Sequence, residues 1–487
     1  MTQRFQRRAA IGALLATAAA LPANSVQAQK RPNIIYIFTD QQSATMMSCA
    51  GNPWLKTPAM DYIADNGVRF TRAYCTNPVS SPSRTSLMTG RMACDFTTWQ
   101  NERVHDNHTA GSIRTISDQV KNTSLGAWMQ KTEYELVYGG KTHLPKPLMP
   151  NVQGFNILTG DERDDLVEKS AEFIRERRSD KPYMMIVSLI NPHDICYMAI
   201  RDFPLTGAHK NVAKTGNKAT RVLDKAVKTP EGVSTDEFYA TLCPPLPGGY
   251  EIQKDEPKAI GSLLDKYGFR REARANYTDR QWRLHRWAYC RLTEYVDAQI
   301  QVVLDAIRES GQEENTIIIF SSDHGDMDAT HRLEHKSVLY EPAANIPFMV
   351  MWKGHIAAGR VDNTHLVSNH LDLLPTVCDY AGINGKADPR GASLRPLLEQ
   401  KKGEWRKTLG VDAEVGAMVV AEDGLKYCRY TLAGIEENQL LDLKADPYET
   451  RQFASDAKYA RRLKELREEF ETKWFPTNRI NLSKTNE

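Results

Sequence analysis

The sequence predicts an α/β protein: a large mixed, mainly parallel sheet sandwiched by helices, with a smaller C-terminal antiparallel-sheet subdomain. Three observations carry this. Continuous apolar runs of strand length recur at Asn33 to Phe38, Tyr183 to Ile190 and Thr316 to Phe320, as in strands buried on both faces. Helical stretches lie between them, the clearest marked by Tyr289, Leu292, Val296, Ile300, Val303 and Ile307 at steps of three or four, which makes one apolar stripe. From about Pro389 the texture changes to short strands followed by a single helix. Strands alternating with helices imply a parallel sheet covered on both faces.

Taken in order, the chain begins with Arg4, Arg7 and Arg8, an apolar run from Ala9 to Leu21, and Val26-Gln27-Ala28. That is the pattern of a signal peptide cut after Ala28, with the Arg7-Arg8 pair admitting a twin-arginine route. The expected product is soluble and exported, periplasmic or secreted, with no membrane anchor. The first strand, Asn33 to Phe38, ends in the polar tip Thr39-Asp40-Gln41. Thr57-Pro58 opens a helix whose buried side is Met60 and Ile63 and which Gly67 is expected to stop. Asp194 to Arg280, rich in Lys, Pro and Gly, predicts long loops and short helices inserted above the sheet, a usual place for shaping substrate access. Pro347 to Met351 reads as another buried strand. Gly416 to Val420, Leu425 to Tyr430 and Gln439 to Leu443 read as strands of a small sheet, and a helix from about Asp456 is striped by Tyr459, Leu463, Leu466, Phe470 and Trp474. The expected organisation is a leader over residues 1–28, a catalytic domain over 29–388 and a subdomain over 389–487.

The chain has 487 residues, 41% hydrophobic and 25% charged, an ordinary globular composition. Its 63 Lys and Arg against 61 Asp and Glu leave +2; without the three arginines of residues 1–28 the balance is 60 against 61. There is no basic excess for wrapping nucleic acid. A polyanionic substrate must be recognised by cations gathered in one cleft. The eight cysteines lack CxxC spacing, which argues against a zinc site.

The segment Ser80-Ser81-Pro82-Ser83-Arg84-Thr85-Ser86-Leu87-Met88-Thr89-Gly90-Arg91 is the most informative. It puts a hydroxyl at a helix start, where free N–H groups attract anions, and an arginine one turn on. A plain helix cap would look the same locally. Asp40-Gln41 and Asp323-His324 both end buried strands, and ligand sites of parallel sheets lie beyond the carboxyl ends of strands. Their oxygen donors suit a hard cation. Gly140-Lys141-Thr142-His143 and Asn191-Pro192-His193, the latter directly after a strand, add candidate charge-handling and proton-transfer groups.

As a twelve-residue string, the Ser80 segment resembles the signature of the sulfatase family of the alkaline-phosphatase superfamily, and the resemblance extends from Arg31 to Trp474. It implies that Ser80 is converted to Cα-formylglycine (3-oxoalanine), whose hydrated aldehyde supplies the attacking hydroxyl. Cys75 lies five residues too early, so the implied branch is the serine type, matured by a radical enzyme before export. The resemblance further implies one divalent metal held at Asp40, Gln41, Ser80, Asp323 and His324. Calcium is the first expectation, with manganese or magnesium left open because Gln41 and His324 stand where many relatives carry a second Asp and an Asn. It assigns Arg84 and Lys141 to the sulfate, His143 to the proton that lets the hemiacetal sulfate collapse, and His193 and Lys336 to the leaving-group oxygen. His331 and His335 are spare candidates for that last place.

The implied activity is hydrolysis of a sulfate ester, on a sulfated carbohydrate because an exported enzyme with a long insertion suits glycan fragments. Two alternatives stand beside it. One is a phosphonate monoester hydrolase or phosphodiesterase, which shares the Asp-Gln and Asp-His pairs. The other is a non-catalytic sulfated-glycan binder, should Ser80 stay unmodified. Asn101 to Arg114, with His105 and His108, and the insertion after Asp194 are the candidate regions for sugar contacts, with a solvated loop as the leading alternative for each.

Overall fold

Eight consecutive buried residues, Asn33–Asp40, form the strand β1 in the middle of the main sheet, which is why its sequence is an unbroken apolar run. A computed structural model describes residues 31–96, 116–214 and 217–476. The leader and the segment carrying His105 and His108 lie outside them. The described residues belong to one compact unit that begins at Arg31.

The strands that follow are β2 (Gly67–Phe70), β3 (Ala73–Tyr74), β4 (Glu135–Gly140), β5 (Asn156–Thr159), β6 (Tyr183–Pro192), β7 (Thr316–Ser322), β8 (Phe348–Met351), β9 (Arg360–Asp362) and β10 (Val367–Ser368). Seven of them join β1 in one eight-stranded sheet in the order β5-β4-β6-β1-β7-β8-β2-β9, while β3 and β10 pair separately. All neighbours are parallel except those of β8, which runs antiparallel to β7 and β2. The sheet is therefore mixed and mainly parallel.

Residues of β1 alternate between the two faces. Ile35 and Ile37 face a layer built from α1 (Pro58–Asp65), α3 (Leu166–Glu176) and α4 (Asp279–Glu309), α2 being the Ser80–Thr89 helix. Ile34, Tyr36 and Phe38 face Leu87 and Met88 of α2 and Leu373, Leu374 and Val377 of α5 (Asn369–Tyr380). The helix expected from residues 289 to 307 is ten residues longer at its start because Thr278 and Gln281 form a reciprocal capping box.

Gly67 does not stop α1; Asn66 is the residue after the helix, and Gly67 opens β2. A Cβ on Gly67 would stand 2.2 Å from the Val350 carbonyl oxygen, so the glycine serves the close approach of β8.

The C-terminal sheet has four antiparallel strands in sequence order, β11 (Thr408–Ala413), β12 (Gly416–Ala421), β13 (Leu425–Tyr430) and β14 (Glu437–Asp442), where the sequence predicts three. The last helix, α6, starts at Ala460 rather than Asp456, after a short 3₁₀ turn. Leu466, Phe470 and Trp474 pack with Val411, Val420 and Tyr427 in one core that also takes in Tyr74, Leu339 and Tyr340. A buried ion cluster joins the same parts: Lys426 Nζ pairs with Glu449 and lies 3.1 Å from Glu341, while Tyr74 Oη donates to Glu341. No described helix is long and apolar enough to cross a membrane.

Candidate active site

The carboxyl ends of β1, β6 and β7 lie side by side, since Thr39 pairs with Ser322 and Asp40 with Pro192. This register sets Asp40, His193 and Asp323 on one rim. Past the strand tip Gln41 turns through the left-handed region at φ 69°, and its backbone N–H donates to Asp323 Oδ1 at 3.1 Å. Tyr289 Oη donates to the Gln41 carbonyl at 2.6 Å and fixes the turn from below.

Helix α2 points its N-terminus at this rim. Residue Val79 precedes it with no side-chain cap, so its first turn keeps N–H donors and positive dipole for an anion. Ser83 Oγ docks the helix by donating to the Asp323 carbonyl at 2.6 Å. Ser80, its first residue, places Oγ 3.2 and 3.3 Å from the Asp40 carboxylate oxygens and 2.9 Å from His324 Nε2.

One turn on, Arg84 spans the site. Its Nη2 donates to Asp40 and its Nε to Asp323, each at 2.9 Å. Its Nη1 donates to Ser188 Oγ at 2.7 Å and to the Lys141 carbonyl at 3.0 Å, and the guanidinium stacks over Phe38.

Gly140, at φ 90°, ends β4 where a Cβ would meet the Ser188 carbonyl oxygen at 2.2 Å. That turn delivers Lys141, whose Nζ lies 2.5 Å from Asp40 Oδ2. Lys336 Nζ approaches from the other side, 2.7 Å from Gln41 Oε1 and 4.0 Å from Asp40 Oδ1.

Asp40, Asp323 and His324 bring one donor atom each to within 4.8 Å of one another, all buried. His324 Nδ1 lies 2.9 Å from the Gly325 carbonyl. That contact places the ring proton on Nδ1 and leaves the Nε2 lone pair for a cation. The donor chemistry thus fits a divalent ion. Gln41 belongs to the same rim, but its carboxamide oxygen accepts from Lys336 and from the Cys196 thiol at 3.0 Å, and its Nε2 donates to Asp326 at 2.6 Å.

Electrostatics sort these groups. Burial opposes ionisation of Asp40, yet the charges of Lys141, Arg84 and Lys336 hold it well below the usual carboxylate range. Asp323 is pushed up to about 7 by burial and by the neighbouring Asp40 charge. Burial and then Lys141 and Arg84 bring His143 down to about 3. Burial, Lys141 and Lys336 lower His193 well below 6.5. Both imidazoles are thus biased towards the neutral form, and the negative charge of a bound sulfate ester, which favours the protonated form, acts in the opposite sense.

Ser80, Arg84, Lys141, His143, His193, Lys336, Asp40, Gln41, Asp323 and His324 therefore gather around one point. His331 does not join them: its ring packs on Tyr340 and its Nδ1 meets the Glu251 carbonyl at 2.9 Å. His335 is buried against Phe269 and Glu334. Sequence reasoning passes over Ser188, Tyr138, Cys196, Asp326 and Tyr289. Ser188 is the one small hydroxyl in the apolar run of β6, a polar oddity that could have marked it. Tyr138 Oη donates to the Lys141 carbonyl at 2.6 Å.

A mixed, mainly parallel sheet, a helix N-terminus carrying a hydroxyl and paired acidic strand tips form the frame of the alkaline-phosphatase superfamily. The Sulfatase family profile matches residues 32–383, and that of "N-sulphoglucosamine sulphohydrolase, C-terminal" matches residues 329–474. Two relatives come from Bacteroides thetaiotaomicron: an N-acetylglucosamine-6-O-sulfatase, 27% identical over 90% of this chain and 85% of that protein, and a Delta 4,5-hexuronate-2-O-sulfatase, 28% identical over 92% and 90%. The solved structure of a 2-O GAG sulfatase superposes with a TM-score of 0.73 at 25% identity, covering 91% of each chain. The chain belongs to the sulfatase family and is a sulfuric ester hydrolase.

Proposed function

We propose that this protein removes sulfate from the sugars of a sulfated glycan of the glycosaminoglycan kind, with Ser80 converted to formylglycine. The observation that carries the reading is the position of Ser80 Oγ, 2.9 Å from His324 Nε2 and 3.2 Å from Asp40 Oδ2 at the start of α2. The glycan class is supported by the sugars named in its relatives, N-acetylglucosamine and hexuronate.

Asp40, Asp323 and His324, with Gln41 beside them, would hold one divalent cation, calcium, manganese or magnesium; such an ion neutralises sulfate oxygens and polarises the S–O bond. An aldehyde hydrate at position 80 supplies the attacking hydroxyl and can expel sulfate by re-forming its carbonyl. Arg84, Lys141 and Lys336 then face the charge of the transferring group, the term that usually contributes most to such catalysis. His193 and Lys336 stand at the leaving oxygen. His143, held neutral, takes the proton whose removal releases sulfate. The leader supports export to the periplasm or beyond, and the serine-type signature supports a radical maturation enzyme as partner.

Mass spectrometry of the tryptic peptide containing Ser80, from protein of the native host, tests the reading together with sulfate release from defined sulfated mono- and disaccharides. Loss of two hydrogens from the peptide is the expected result. Unmodified serine would favour the glycan-binder alternative, and faster cleavage of phosphate diesters than of sulfate esters would reverse the assignment of the substrate.

A further inference from the structure

His193 stands at the reactive rim, yet among the described residues its Nδ1 has no hydrogen-bond partner. Its ring meets Tyr197 edge-on at 5.7 Å, an apolar contact that leaves rotation in the ring plane weakly defined. With Nδ1 unpartnered, the backbone that carries the imidazole becomes a main determinant of its aim. That backbone is held one residue on. Asp194, fully buried, accepts two hydrogen bonds from the Arg163 guanidinium, Nη1 to Oδ2 at 2.5 Å and Nη2 to Oδ1 at 2.8 Å. The Asp194 N–H donates to Asn191 Oδ1 at 3.3 Å, closing the turn around His193.

Arg163 comes from the loop between β5 and α3, and its backbone is itself fixed from two sides. Its N–H donates to Asp161 Oδ1 at 2.8 Å, and its carbonyl accepts from Gln299 of α4 at 3.2 Å. Asp161 in turn pairs with Lys218 of the inserted region at 2.8 Å. A planar fork gripping a carboxylate in this way fixes direction as well as distance.

We propose that Arg163 and Asp194 are a positioning pair for His193, aiming its imidazole at the leaving-group oxygen. The inference rests on the placement of His193 at the leaving-group oxygen proposed above, with the imidazole donating a proton to that oxygen. An alkoxide leaving from a sugar needs a proton, whereas a nitrophenolate departs without one, so the two substrate types separate aim from general integrity.

The test compares kcat/KM for 4-nitrophenyl sulfate with that for the sulfated monosaccharide the wild-type protein cleaves fastest, in Arg163→Met, Arg163→Lys and His193→Ala. Because Arg163→Met strands a buried carboxylate, the paired Arg163→Met/Asp194→Leu variant is measured alongside it. Arg163→Met and the pair are expected to lose about 10²-fold on the sugar sulfate, the low end of a general-acid contribution, and less than about 3-fold on the aryl sulfate. Arg163→Lys, which keeps the charge but not the fork, should fall between. Equal losses on both substrates, or none, in both Arg163→Met and the pair would overturn the proposal. A selective loss in His193→Ala with no selectivity at Arg163 would sink the positioning role alone. Equal losses in His193→Ala would instead remove the proton-donor reading beneath it.

Discussion

Arg84 and Asp40 share a hydrogen bond of 2.9 Å between Nη2 and Oδ2, with both side chains fully buried. The same guanidinium reaches Asp323 through Nε at 2.9 Å, so one cation holds together two carboxylates that would otherwise repel. Arg84 thereby fixes the spacing of the two carboxylates proposed to hold a divalent cation. Burial, and after it the Asp40 charge, nevertheless push Asp323 up to about 7.

Arg84→Lys keeps the charge and removes the fork. A lysine cannot donate to Asp40, Asp323 and Ser188 in the directions now used. Sulfate-ester hydrolysis should fall by about 10²-fold or more, on the scale of losing a preorganised donor to developing charge. Steady-state kinetics on a sulfated monosaccharide check this; activity within a few-fold of wild type would contradict it.

Ser80→Ala deletes one buried oxygen and the proposed site of modification. Turnover should drop by at least about 10⁴-fold, as for removal of other nucleophiles. Unfolding in urea should show a change of only about 1 kcal/mol, the usual value of one hydrogen bond. Residual turnover above that level would place the nucleophile elsewhere.

Adding calcium, manganese or magnesium to chelator-treated protein should raise the melting temperature, because a ligand that binds only the folded state stabilises it by about 2.7 kcal/mol at a hundred times its Kd. Asp323→Asn should abolish the rise, since it removes one of the two charges facing the Nε2 of His324. A rise of the same size in wild type and variant would move the cation away from this rim.

His285 gives a stability prediction remote from the nucleophile. It is fully buried on α4, neither ring nitrogen has a hydrogen-bond partner among the described residues, and burial brings it from 6.5 to about 3. The unfolded chain binds the proton more readily, so the contribution of a neutral His285 is fully present above pH 6.5 and is lost as pH falls towards about 3. The slope reaches about 1.4 kcal/mol per pH unit in that window. His285→Leu should show a shallower acid loss in urea unfolding series; coincident slopes would exclude this histidine as the cause.

Lys426→Met should destabilise the join between the two sheets. The lysine is fully buried and its partners Glu449 and Glu341 would be left facing each other; breaking a buried pair from one side costs roughly 3–5 kcal/mol. Lys426→Met/Glu449→Gln should recover much of that in denaturant midpoints. No recovery would mean that packing, not charge, holds the join.

Much of this was written in residue order. The runs that became β1, β6 and β7 are buried on both faces, and only a central strand needs so many apolar residues in succession. The string from Ser80 to Arg91 and the tips Asp40-Gln41 and Asp323-His324 named the site because each depends on a residue type at a fixed local spacing. By contrast β4 reads poorly, since Glu135 to Gly140 ends in two glycines with low strand preference. It forms because both its neighbours, β5 and β6, supply backbone partners. Strand β11 is hidden in the same way, by Gly410, where a Cβ would strike the Trp474 ring at 2.6 Å.

The sequence by itself determined which chemical groups exist and which stretches must be buried, because apolar periodicity and short motifs are local. Only the tertiary structure decided that Asp40, Ser80, Lys141, His193, Asp323 and Lys336 share one rim, that His331 faces elsewhere, and that Arg163 reaches Asp194. Those facts depend on strand order and register, which are chosen by packing between segments far apart in the chain and leave no mark in any one of them.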